Sequence, residues 1–142
     1  MSDGSEPTVD VFFYGLYMDP AALRSRGVEP RSPRPGVADG FSLHIGRLAT
    51  LVPDPDGRAF GIAYALTHDE IDILYARAGL TMYRMMPLLV QTVRGTVPSL
   101  CAVLLDPAEA GPHDASYAAS LRQVMTRFSM PAEALSTVKA AG

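Results

Sequence analysis

"VDVFFYGLYMDP", residues 9–20, packs an apolar run against a glycine and sets two tyrosines, Tyr14 and Tyr17, on either side of it. Val9–Tyr14 is short, β-branched and aromatic, the composition of a buried strand, and Gly15 stops it. Asp19 is placed to cap a short helix with Pro20 at its first position, "DPAALRSRG", which Gly27 closes. The segment therefore predicts a strand, a tight turn and a helix. A glycine at such a turn lets the backbone approach a ligand, and the N–H groups of a strand-to-helix turn can grip an anion. Taken alone, Tyr-Gly is weak evidence, and a tight turn under an aromatic cluster is the favoured reading.

Outward from this turn the chain alternates strand and helix signals. Residues 1–8 form a polar lead-in, expected to fray, and 9–142 are expected to form one domain. "VEPRSPRPGVADG" (28–40) is rich in Pro and Gly, has no periodicity and predicts a long irregular connection. "FSLHIGRLATLV" predicts two extended pieces around Gly46. "PDPDG" predicts a turn, and "RAFGIAYAL" a further strand. "THDEIDILYARAG" (67–79) is the clearest helix. Thr67 and Glu70 form a capping box, Gly79 terminates it, and Ile71, Leu74, Tyr75 and Ala78 share the inward face. "MYRMMPLLVQTV" and "PSLCAVLLD" predict two strands, with Pro87 marking an edge or a bulge in the first. "HDASYAASLRQVMTRF" and "SMPAEALSTVKA" close the chain as helices. The order of elements gives the class α+β, with a small mixed, largely antiparallel sheet that closes into a β-barrel flanked by helices.

Composition narrows the function. In 142 residues, 48% hydrophobic and 19% charged, there is material for an ordinary globular core. A net charge of −3 and the lack of any Lys/Arg run predict no nucleic acid and no membrane surface as partner. No segment is long enough to span a bilayer and the N-terminus has no apolar signal core. The single cysteine, Cys101, excludes an internal disulfide and fits a cytoplasmic, reducing compartment.

Known chemistry is scarce in the motifs. His44, His68 and His113 are far apart and lack partners at ligand spacing, so no metal is expected. Cys101 in "LCAVLL" is a packing residue rather than a nucleophile. No G-x-S-x-G, P-loop or dinucleotide fingerprint is present, and no cofactor is expected. Asp69, Glu70 and Asp72 are accounted for by the first turn of their helix.

Taken in order, "YGLYM" (14–18), "PDPDGRAFGIAYAL" (53–66), "LTHDEIDILYARAGL" (66–80), "MYRMMPLLV" (82–90) and the tyrosine-containing "HDASYAASLRQVM" resemble the γ-glutamylcyclotransferase-like family over residues 9–140. The resemblance implies a small barrel with a cavity. It implies that the turn after the first strand offers backbone N–H groups to a γ-glutamyl carboxylate. A glutamate in the helix motif would move the proton as the substrate amine closes on its own carbonyl, releasing 5-oxoproline. Two positions depart from the pattern. Ala78 stands where that glutamate belongs, and Leu16-Tyr17 replaces the small Ser-Asn or Ser-Leu pair. Glu70 lies eight residues earlier, about 12 Å along the axis, and is held in the capping box; Asp72 points to another side.

The expected site is therefore Tyr14, Gly15, Leu16, Tyr17, Tyr75, Ala78 and Tyr83, with a small-molecule ligand and with no catalytic residue assigned. Three functions follow. The first is an enzyme of altered chemistry on a small amide, amine or biosynthetic substrate, with a tyrosine or Arg77 meeting a developing negative charge. The second is a ligand-binding or interaction module that has lost its acid/base, and the third a true cyclotransferase with a relocated carboxylate. Oligomeric state is left open.

Overall fold

The computed structural model describes residues 7–80, 82–112 and 114–138. Residues 1–6 of the 1–8 lead-in, His113 and residues 139–140 of the last predicted helix thus lie outside the described residues, while Thr8 already belongs to the first strand.

Strand β1 (Thr8–Phe13) runs into a 3-10 turn at Leu16–Met18 and then α1 (Pro20–Arg24). As expected, Asp19 caps α1 by accepting from the Ala21 N–H at 2.9 Å. Its other oxygen pairs with Arg127 at 2.6 Å, tying α1 to the far end of the chain. Next come β2 (Arg31–Ile45), β3 (Ala49–Thr67), α2 (His68–Leu74), β4 (Tyr83–Thr92), β5 (Gly95–Leu104), α3 (Ala115–Arg127) and α4 (Ala132–Ser136). The strands close into a barrel in the order β1-β3-β2-β4-β5. All pairs are antiparallel except the closing one, where β1 and β5 run parallel at Val11 and Leu100. Among the described residues, no helix is long and apolar enough to cross a membrane.

From Val11 onward β1 is apolar because both of its faces are buried there, while Asp10 before it pairs with Arg34. Side chains alternate across a strand. Phe12 and Tyr14 enter a cluster inside the barrel with Ala38, Leu51, Val90 and Cys101. Val11 and Phe13 face the other way, into a cluster that gathers Leu23 of α1, Leu74 of α2, Leu121 of α3 and Ala134 of α4. The helices thus cover the outer face of β1 and β3.

Three local expectations are corrected. The Pro/Gly-rich stretch 28–40 is not an irregular loop, since from Arg31 it is part of β2. Its register against β3 slips between Arg31 and Arg34, where Ser32 takes φ +54° and Pro33 is accommodated. Only the long partner strand makes this segment extended; its own pattern carries no such signal. Second, "PDPDG" does not divide two strands. Phe41 pairs with Pro53 and Asp39 with Arg58, so residues 54–57 bulge out of a continuous β3 opposite Gly40 alone. Third, α2 stops at Leu74, four residues short of Ala78. The chain then unwinds over Tyr75–Ala78. It closes with Leu80 N–H donating to Tyr75 O at 2.9 Å and Gly79 N–H to Ala76 O at 3.2 Å. Gly79 at φ +78° is the left-handed residue this closure requires.

The start of α2 matches expectation. Thr67 and Glu70 cap each other reciprocally. Glu70 also accepts from the Glu29 N–H at 3.0 Å and from Arg31 at 2.8 Å, so its carboxylate fastens the chain ahead of β2 to α2. Burial pushes its pKa up, but the hydrogen bonds from Arg31, Thr67 and Glu29 outweigh it and hold the group below the usual carboxylate range. Pro87 of β4 pairs with Leu100 of β5 on one side, while the contacts of β4 with β2 are confined to Gln91 and Thr92. Pro87 thus lies outside the part of β4 that is paired with β2.

Candidate functional site: an aromatic cavity beneath the first turn

At one end of the barrel the turn after β1 roofs a cavity of about 250 Å³. Six of the expected site residues line it: Tyr14, Gly15, Leu16, Tyr17, Tyr75 and Tyr83. Ala78 is not among the lining residues. It stands in the unwound turn after α2, half-buried, because the helix that would have aimed it inward ends too early.

Each aromatic wall is fixed by a different element. Tyr14 continues β1 into the barrel, and its hydroxyl donates to Ala102 O at 2.6 Å, with Ala49 O at 3.2 Å. Tyr83 opens β4 and donates to Ala49 O at 2.7 Å. Both hydroxyl protons are thus turned onto backbone carbonyls. Tyr75, from the unwound end of α2, packs against Tyr83 with ring centroids 5.7 Å apart and planes at 52°. No hydrogen bond is made by its hydroxyl among the described residues, and that oxygen is not sealed from the cavity. Tyr17 stands nearly perpendicular to Phe13, 86° at 6.0 Å. The Tyr17 hydroxyl accepts from Arg26 Nε at 3.2 Å, which turns it toward the surface. Leu16 and Tyr17 therefore form walls of the space without filling it.

The remaining walls were not anticipated. Phe12 and Phe13 come from the strand already read as core, Leu48 from the β2–β3 connection and Ala49 from the first residue of β3. Leu80 follows the Gly79 closure. Tyr117 is the informative omission. Asp114 caps α3 by accepting from the Tyr117 N–H at 3.1 Å, which sets this tyrosine in the first turn of the helix. Its ring reaches across to the turn, and its hydroxyl lies 3.5 Å from the Leu16 N–H, a long contact. A Cβ built on Gly15 would sit 2.6 Å from the same oxygen. Gly15 is thus a glycine because the Tyr117 hydroxyl occupies that place. The tyrosine was visible in the quoted C-terminal helix, but only the fold brings it to residue 15.

No charged side chain lines the cavity among the described residues. Burial raises the pKa of Tyr14, Tyr75, Tyr83 and Tyr117, so these phenols are neutral across the ordinary pH range. Arg77, offered above as an electrophile, is exposed and pairs with Asp72 at 3.2 Å, away from the cavity. Burial pushes the Cys101 thiol up as well, which leaves little thiolate. Among the described residues, no three His, Cys, Asp or Glu side chains gather as a metal site. The walls can donate hydrogen bonds and stack on a ligand, but they hold no group that titrates near neutrality.

A closed barrel of this strand order, helices on its outer face and a cavity under the first turn together define an α+β barrel class. Its fold is the γ-glutamyl cyclotransferase-like one. A solved structure described as a γ-glutamyl cyclotransferase superposes with a TM-score of 0.75 over 96% of this chain and 89% of its own, at 15% identity. An uncharacterized protein from Homo sapiens gives 0.75 over the same shares at 16% identity. An AIG2-like protein from Mus musculus gives 0.58, covering 69% of this chain and 78% of its own at 17% identity. No protein-family model and no curated protein sequence matches the chain.

Proposed function

We propose that this chain is a small-molecule-binding protein on a cyclotransferase-like scaffold, and that its own side chains do not supply the acid/base step of 5-oxoproline formation. One observation carries the reading: among the described residues, those lining the cavity include no carboxylate, imidazole, amine or guanidinium. Closing an amine onto a γ-carbonyl needs a proton carrier within hydrogen-bond reach, and Ala78 has neither the chemistry nor the position for it. We place the protein in the cytoplasm, a reading that rests on its single, buried cysteine.

A second reading, an enzyme of altered chemistry on a small amide or amine, is favoured by the unpartnered Tyr75 hydroxyl. A fixed donor of that kind can stabilise a developing oxyanion without titrating. It would require the substrate to carry its own base.

The test is 5-oxoproline release from γ-glutamyl amino acids by the purified chain and by Ala78→Glu. Neither is expected to turn over. Release by the unmodified chain would overturn the reading. Release by Ala78→Glu alone would show that position 78 reaches the cavity after all.

A further inference from the structure

We propose that the cavity is an aromatic cage for an organic cation, an alkylated ammonium group on a short arm. The inference rests on the reading of the cavity as the binding site. Among the described residues, seven of the twelve that line it are aromatic, and none is charged. The rings are set at angles: Tyr75 and Tyr83 meet at 52° and Phe13 and Tyr17 at 86°. Tilted and perpendicular rings make corners. Corners enclose a rounded group, whereas a flat aromatic ligand asks for a slot between parallel faces.

The polarity of the walls points the same way. Ring faces carry the negative end of the aromatic quadrupole and attract a cation. Tyr14 and Tyr83 spend their hydroxyl protons on Ala102 and Ala49 carbonyls, so those two oxygens offer lone pairs, while the Tyr75 and Tyr117 hydroxyls keep protons for the polar arm of the ligand. A ligand carboxylate would find neither Lys nor Arg among the described lining residues, and the Leu16 N–H of the turn makes a long contact with the Tyr117 hydroxyl. A cation meets no like charge among the described lining residues, and the chain's net charge of −3 favours its approach. The volume, about 250 Å³, holds a trimethylammonium group with a short polar arm.

Choline and its uncharged isostere 3,3-dimethylbutan-1-ol are the decisive pair, since they match in shape and differ in charge. Each is titrated into the full chain, and binding is followed by ligand-observed NMR. Choline is expected to bind about tenfold more tightly than the alcohol. Tyr75→Leu is expected to erase that preference and Tyr75→Phe to restore it, because the ring and not the hydroxyl carries the effect. Should Tyr75→Leu fail to fold, the comparison on the natural chain still decides. If the alcohol binds as well as choline, the cage is wrong and the cavity reading survives. If neither binds, both readings fall.

Discussion

Replacing Gly15 by alanine probes the contact that joins the first turn to α3. The added Cβ would lie 2.6 Å from Tyr117 Oη, against the 3.4 Å where ordinary contact begins, so about 0.8 Å must be found by moving the ring or the turn. Overpacking of this kind costs about 1–3 kcal/mol. The backbone offers no objection, since Gly15 has φ −116°, and removing a glycine's freedom in the unfolded chain returns about 0.4–1 kcal/mol. Gly15→Ala is therefore expected to destabilise by about 1–2 kcal/mol. Tyr117→Phe removes the offending oxygen and loses only a 3.5 Å contact with the Leu16 N–H, at a cost below about 1 kcal/mol. With the oxygen gone, the nearest atom to the new Cβ is the ring carbon at 3.9 Å, an ordinary distance. The double variant should then be no less stable than Tyr117→Phe alone, a favourable coupling of about 1–2 kcal/mol. Urea unfolding of the four proteins, followed by circular dichroism, measures it. Additivity to within about 0.5 kcal/mol would refute the contact between Tyr117 and the turn.

Other consequences can be checked with simple titrations. Glu70 is held below its ordinary pKa of 4.5, so its contribution to stability is complete above that value and is lost as pH falls through the lower native pKa. Glu70→Gln should cost about 1–3 kcal/mol at neutral pH and flatten the acid limb of the stability curve; an unchanged acid limb would remove Glu70 from that role. Tyr14, Tyr75, Tyr83 and Tyr117 have raised pKa values, and Tyr64 is pushed up to about 12 by burial. Because these phenols bind their protons more tightly when folded, stability should fall as pH rises above about 10. Spectroscopic titration of the native chain at pH 10 should show less tyrosinate than the unfolded chain, whose phenols are about half ionised there, and an equal signal from the two would contradict their burial.

Locally encoded features were legible in the sequence because the interactions that fix them lie within a few residues. The buried strand at 9–14, the Asp19 cap, the Thr67–Glu70 box and the Gly79 closure are all of this kind. The order of motifs was enough to name the fold, and six of the seven expected site residues do line one cavity. What failed depended on partners distant in the chain. Residues 31–40 are extended because β3 pairs with them across a slipped register, and no periodicity within the segment announces it. The helix motif continued on paper to Ala78, but the structure unwinds it after Leu74, so the position aligned with the family's proton carrier leaves the cavity. Tyr117 was visible as a letter in a helix. Only barrel closure, and α3 packed over β1, set its hydroxyl against Gly15, 102 residues earlier. That contact explains the glycine with which the strand ends. Sequence by itself thus determined which segments carry short-range order and that the first turn is rich in aromatic surface. Tertiary structure decided which side chains face one another across the cavity, and hence that the walls formed by the described residues are aromatic and uncharged.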